Sequence, residues 1–162
     1  MNALVDSKIF KTATPLFRTA AELGINPVEY AAMLRVLDGL EKDEFVHDDC
    51  NNPVTLNGFN MGVPSRVSSC GTACCIGGWV SVFMQGGKKN RAGKYIFSEE
   101  KTDNYVESKA LSFSERFNTP QRKAVEDLFY PPNMVWEDIE PAQAARALRN
   151  YLTTGQPNWS ST

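Results

Sequence analysis

The run 73–84, Ala-Cys-Cys-Ile-Gly-Gly-Trp-Val-Ser-Val-Phe-Met, limits the fold more than any other part of the chain. It is the longest stretch of apolar and small residues, yet it falls short of the roughly 20 that a membrane-spanning helix needs. Such a segment has to be covered by the rest of the molecule. Ile76, Trp79, Val80 and Phe83 recur at helical spacing, so a central helix is predicted over 72–85, buried on most sides. Gly77-Gly78 inside it costs roughly 1 kcal/mol per glycine relative to alanine. That cost is offset if another backbone packs closely against the pair.

The remainder of the chain is able to supply the cover. It has 162 residues, 42% apolar and 22% charged, which suits one folded domain and argues against disorder throughout. The formal net charge is -2, whereas dedicated nucleic-acid binders are typically basic, so a nucleic-acid partner is not expected. No secretory leader is visible over 1–14, where Asp6, Lys8 and Lys11 interrupt any apolar segment. The expected location is cytoplasmic, without membrane association. Four cysteines in that compartment are expected reduced or metal-bound rather than as a disulfide framework.

Helix signals flank the central run. The segment 15–23 reads as a short helix ending at Gly24. Asn26-Pro27-Val28-Glu29 then opens a second helix, with Asn26 as cap and Pro27 first inside. Tyr30, Leu34, Leu37 and Leu40 form its apolar stripe, and together these helices make a pair over 15–44. The stretch 47–69 is full of turn-forming pairs, Asn52-Pro53, Asn57-Gly58, Met61-Gly62 and Pro64-Ser65. It reads as a long loop with at most a short strand at 54–56. Loops of that length are uncommon in compact domains unless functional or pinned.

Beyond the central helix, 86–93 reads as a basic turn, and Tyr95-Ile96-Phe97 as a short strand or buried anchor. The segment 98–103 is expected solvated and 106–113 weakly helical. Thr119-Pro120 starts a clear helix, stopped by Pro131-Pro132, and Pro141 starts the last, ended by Gly155. This C-terminal pair covers 119–155, and Trp159 is expected to fold back on it. The expected fold is therefore mainly α: a single-domain bundle of five or six helices over 1–162, with one long irregular loop and at most short strands.

Two groups of residues carry a family resemblance. One is Phe59-Asn60-Met61, then Cys70-Gly71-Thr72, Cys75-Ile76 and Gly78-Trp79. The other is Leu128-Phe129-Tyr130-Pro131-Pro132 followed by the alanine-rich stretch from Pro141 to Asn150. Over 34–159 the chain resembles a set of small uncharacterised proteins of bacterial genomes and their phages. These share F-[ND]-M, then C-G-T-x-x-C-I-x-G-W, then an alanine-rich C-terminal helix. The resemblance implies no activity. Its paired cysteines correspond to Cys70 and Cys75, so Cys74 is an addition, and Gly62-Val63-Pro64 stands where members often place a tryptophan.

The thiols offer the main chemical alternatives. His47, Cys50, Cys70 and Cys75 form a plausible tetrahedral zinc set, although the spacing is not C-x-x-C. Cys70 at a helix start would feel the positive end of the helix dipole, which favours thiolate. His47, the only histidine, would be its base. A reversible Cys70–Cys75 disulfide is a third possibility. Against all three, cysteine is a common small core residue. Lys88, Lys89, Arg91 and Lys94 near Tyr95 and Phe97 could stack and pair with nucleic acid, but four cations in a glycine-rich turn are usually just solvated. The carboxylate pairs Asp43-Glu44, Asp48-Asp49, Glu99-Glu100 and Glu137-Asp138 read as surface charge.

The modest size and poor catalytic inventory favour a non-enzymatic interaction protein, phage- or mobile-element-associated, that binds a protein partner. The contacts are expected at Asn60 and Arg66 in the loop and at Arg146 and Arg149 on the last helix. No cofactor, metal or catalytic residue is expected. The alternative is the thiol-centred one: zinc at His47, Cys50, Cys70 and Cys75, or a Cys70 nucleophile with His47.

Overall fold

The computed structural model describes residues 16–49, 56–68, 71–116 and 119–161. Its N-terminal helices follow their caps. Thr19 and Glu22 close a reciprocal box around the start of α1 (Ala20–Leu23), and Gly24 ends it in a left-handed conformation. Asn26 caps α2 (Pro27–Glu41), its Oδ1 accepting from the Glu29 amide at 2.8 Å. The buried stripe of α2 is Ala32, Met33, Val36, Leu37 and Leu40. It is rotated from the predicted one, which leaves Tyr30 and Leu34 at its margin.

A four-stranded mixed sheet follows, and it corrects the expected fold class. Strands β1 (Val46–His47), β2 (Asn57–Phe59), β3 (Arg66–Val67) and β4 (Thr72–Cys74) stand in the order β1-β2-β4-β3. The first three neighbours are parallel, and β3 joins β4 antiparallel. Together with seven α-helices among the described residues, this is an α/β fold and not a mainly α bundle. The strands are two or three residues long, too short to leave an alternating pattern. Asn57-Gly58, a turn signal in isolation, lies inside β2 and pairs with Thr72-Ala73. The stretch predicted as one loop over 47–69 therefore holds the end of β1 and all of β2 and β3, joined by irregular segments. The strand anticipated at 54–56 falls outside the described residues except for Leu56, which lies in a turn.

The central helix starts later than predicted. Residues 72–74 are β4, Cys75 is the cap, and α3 runs Ile76–Met84. Ile76 to Val82 are buried, and α3 packs against α2, α4 and α6. The close approach inferred from the glycines is present. A Cβ on Gly78 would lie 1.8 Å from the Pro64 carbonyl oxygen, and one on Gly77 would lie 2.8 Å from the Phe129 ring. The Trp79 indole donates to the Gly58 carbonyl at 3.0 Å, tying α3 to β2.

Helix α4 (Glu99–Glu107) occupies the segment expected to be solvated, capped by Ser98. Its buried Thr102 lies 3.2 Å from Ser81 of α3. The weak helix expected at 106–113 resolves into the end of α4 and a single turn, α5 (Phe113–Arg116). Helices α6 (Pro120–Phe129) and α7 (Pro141–Thr154) start and stop at the predicted prolines and glycine. Trp159 does fold back, buried, with its indole donating to the Asp127 carbonyl at 2.8 Å. Among the described residues no helix is long and apolar enough to cross a membrane.

Candidate functional site

The thiols were the sequence's strongest chemical hint, and two of them are packed inside. Cys75 is the N-cap of α3, its Sγ accepting from the Gly78 amide at 3.2 Å. Burial pushes its thiol up to about 11, outweighing the hydrogen bonds from the helix start that pull the other way. Cys74, in β4, is raised as well, first by burial and then by the neighbouring Cys75. The thiolate expected at this helix start is thus not favoured at Cys75. Cys50 and Cys70 lie outside the described residues, and with them half of the zinc set and the candidate nucleophile.

His47 is the shared member of both alternatives, and its ring is already engaged. Nε2 lies 2.7 Å from the Glu137 carbonyl oxygen, and Nδ1 lies 3.2 Å from Glu140 Oε1. The imidazole thereby pins β1 to the turn before α7. A zinc ion would need His47 to give up one of these contacts and Cys75 to give up its cap. Among the described residues no three His, Cys, Asp or Glu side chains cluster closely enough to hold an ion.

Of the four residues expected to meet a partner, three have partners within the fold. Asn60 is fully buried; its Nδ2 donates to the Asp48 carbonyl at 2.6 Å and its Oδ1 accepts from the Gly62 amide at 2.7 Å. Arg66 Nη2 meets both carboxylate oxygens of Asp48, at 2.9 and 2.7 Å. Asp48 itself is buried, which corrects the reading of the Asp48-Asp49 pair as surface charge. Arg149 grips Glu41 of α2 through two nitrogens, at 2.6 and 2.8 Å, and lies over the Phe17 ring. Arg146 is exposed, and the Arg149 side chain keeps 38% of its surface in solvent.

A groove of about 510 Å³ opens between the first turns of α2 and the segment that leaves α3. Val28, Ala31, Phe83 and Tyr95 supply apolar walls, and Arg35 stands among them. The Phe83 and Tyr95 rings meet edge to face at 5.4 Å. The Arg35 guanidinium lies 4.7 Å from the centre of the Phe83 ring, and Lys89 Nζ lies 4.8 Å from that of Tyr95. The ring contact leaves the Lys89 charge in place beside the groove. One Arg35 nitrogen is bound to Glu44 at 2.8 Å, while Nη1 is enclosed without an acceptor.

The segment beyond α3 is a hydrogen-bonded hairpin. Lys89 pairs with Tyr95, the Asn90 amide donates to the Lys94 carbonyl at 2.9 Å, and the Ile96 amide donates to the Lys88 carbonyl at 2.9 Å. The Asn90 side chain closes the tip by accepting from the Ala92 and Lys94 amides. Lys94 turns inward to the Ser68 carbonyl, and Lys88, Lys89 and Arg91 remain exposed. No acidic residue occurs from Gln85 to Ser98. Sequence reasoning found these cations but not the groove, because the other wall comes from α2, far away in the chain.

No protein-family model matches the chain, and neither the curated proteins nor the solved structures give a match.

Proposed function

We propose that the protein is a non-enzymatic interaction module that binds an acidic, apolar-tipped segment of another protein in the groove between α2 and the basic hairpin. The observation that carries this reading is the groove's composition: aromatic and aliphatic walls with Arg35 among them and Lys89 over the Tyr95 ring, at the base of an exposed basic hairpin in a chain whose net charge is negative. An apolar side chain would bury against Val28, Phe83 and Tyr95, and carboxylates would meet Lys88, Lys89 and Arg91. Cations at a rim chiefly raise the association rate and select the partner, while the apolar anchor supplies most of the affinity.

The test is titration calorimetry with acidic peptides that carry one aromatic or aliphatic anchor, against a single-stranded oligonucleotide of similar charge. Peptide binding is expected to weaken at least about tenfold in Lys88→Glu/Lys89→Glu/Arg91→Glu, and similarly in Val28→Glu. Preference for the oligonucleotide, or peptide binding indifferent to both variants, would reject the proposal. So would a catalytic turnover that survives them.

A further inference from the structure

The chemistry that the groove asks for is present on the protein itself. Between α6 and α7 the chain makes a 3-10 turn, Trp136–Asp138, preceded by Val135. Val135 is 64% exposed and Trp136 is 36% exposed, and Glu137 and Asp138 beside them are exposed as well. Two large apolar side chains followed by two carboxylates match the groove's apolar walls and cationic rim.

The turn is also held in shape. The Trp136 indole donates to the Pro131 carbonyl at 2.8 Å, and its ring lies 5.8 Å from that of Tyr130. The Glu137 carbonyl is 2.7 Å from His47 Nε2, and the adjoining Ile139 is buried. A pre-shaped projection loses little conformational freedom on docking. Its anchors, His47, Tyr130 and Pro131, line no part of the groove, so turn and groove are separate surfaces.

From this juxtaposition we infer that the protein self-associates head to tail, the Val135–Asp138 turn of one copy seating in the α2–hairpin groove of the next. The inference rests on the reading of the groove as a site for acidic, apolar-tipped segments. The two surfaces differ, so the contact is heterologous: each copy donates a turn and receives one, and copies add until a ring closes or a filament grows. One groove and one turn make a small interface, which places the association among weak, reversible ones. Self-association fills the groove and so competes with any foreign partner for it.

Sedimentation velocity on the full chain, from about 10 μM to about 1 mM, tests this in the range where small interfaces associate. The native protein is expected to sediment faster as concentration rises, and this gain should shrink with added salt as the charges are screened. The groove variant Lys88→Glu/Lys89→Glu/Arg91→Glu and the turn variant Glu137→Lys/Asp138→Lys should each stay monomeric. Mixing them in equal amounts should restore association, since the mixture again offers an intact groove to an intact turn. Val135→Asp is a second turn variant, made at an exposed position that the fold does not need.

A native chain that stays monomeric throughout, or oligomers that persist in both variants, would overturn the inference. The two proposals fail separately. If the native chain is monomeric but binds acidic peptides through the groove, self-association is lost and the interaction reading stands. If the peptides do not bind at all, both are lost. The turn variants keep their groove, so they should still bind peptide.

Discussion

At the scale of single residues, burial decides what the cysteines do. Cys75 sits where a helix dipole would favour thiolate, yet its thiol stays protonated because leaving water costs more than the dipole returns. The folded form holds this proton up to about 11, whereas an unfolded cysteine releases it near 8.5. Between those values the unfolded chain binds fewer protons, so stability falls as pH rises. A loss on the order of 3 kcal/mol between about pH 8 and about pH 11 is expected from Cys75 alone, and urea denaturation across that range measures it. Burial raises Cys74, Tyr105 and Tyr151 as well, and these act in the same direction. Gly78 is the other decisive residue. A methyl group there would overlap the Pro64 carbonyl, and the obstacle is backbone, which cannot rotate aside. Gly78→Ala is expected to lose about 3 kcal/mol or more, read as a lower urea midpoint.

At the scale of elements, the short strands are held together by side chains that reach across the sheet. Asp48 follows β1, at one edge, and Arg66 lies in β3, at the other. The Arg66 guanidinium meets the Asp48 carboxylate, whose side chain is only 2% exposed. Removing the cation leaves a buried carboxylate without its charged partner. Arg66→Ala is therefore expected to cost about 2–3 kcal/mol, somewhat less than in a fully buried pair because Arg66 keeps some contact with solvent. A double-mutant cycle with Asp48→Asn should recover part of that loss. The pair Arg149–Glu41 links α7 to α2, but both partners are more than a third exposed, and such pairs contribute little. His47 plays a comparable linking part between β1 and the turn before α7.

At the scale of the whole molecule, the C-terminal tail closes the fold. Trp159 buries its ring and donates to α6 through Asp127. Trp159→Ala is expected to cost about 3 kcal/mol, seen as a drop of several degrees in thermal midpoint by circular dichroism. The basic hairpin and the acidic turn lie on this same scaffold and are the two surfaces through which the proposed contacts run. The charge-reversal variants are exposed changes expected to leave the midpoint within a few degrees.

How far the sequence could be read depends on the reach of the interaction involved. The helix ends at Gly24, Asn26, Pro120, Pro141 and Gly155 were legible because capping is a contest among residues within one turn. The buried run containing Trp79 was legible because its apolar character leaves no alternative to coverage, and Gly78 announced the backbone that lies on it. The sheet was not legible, since strands of two or three residues have no periodicity and exist only because distant segments pair. For the same reason Asn60 and Arg149 read as contacts for a partner. A polar side chain looks free until the fold brings its complement, here the loop around Asp48 and the end of α2. The groove was beyond reach in the same way. Its cations are adjacent in the chain, but its apolar wall is delivered by a helix that only tertiary packing places there.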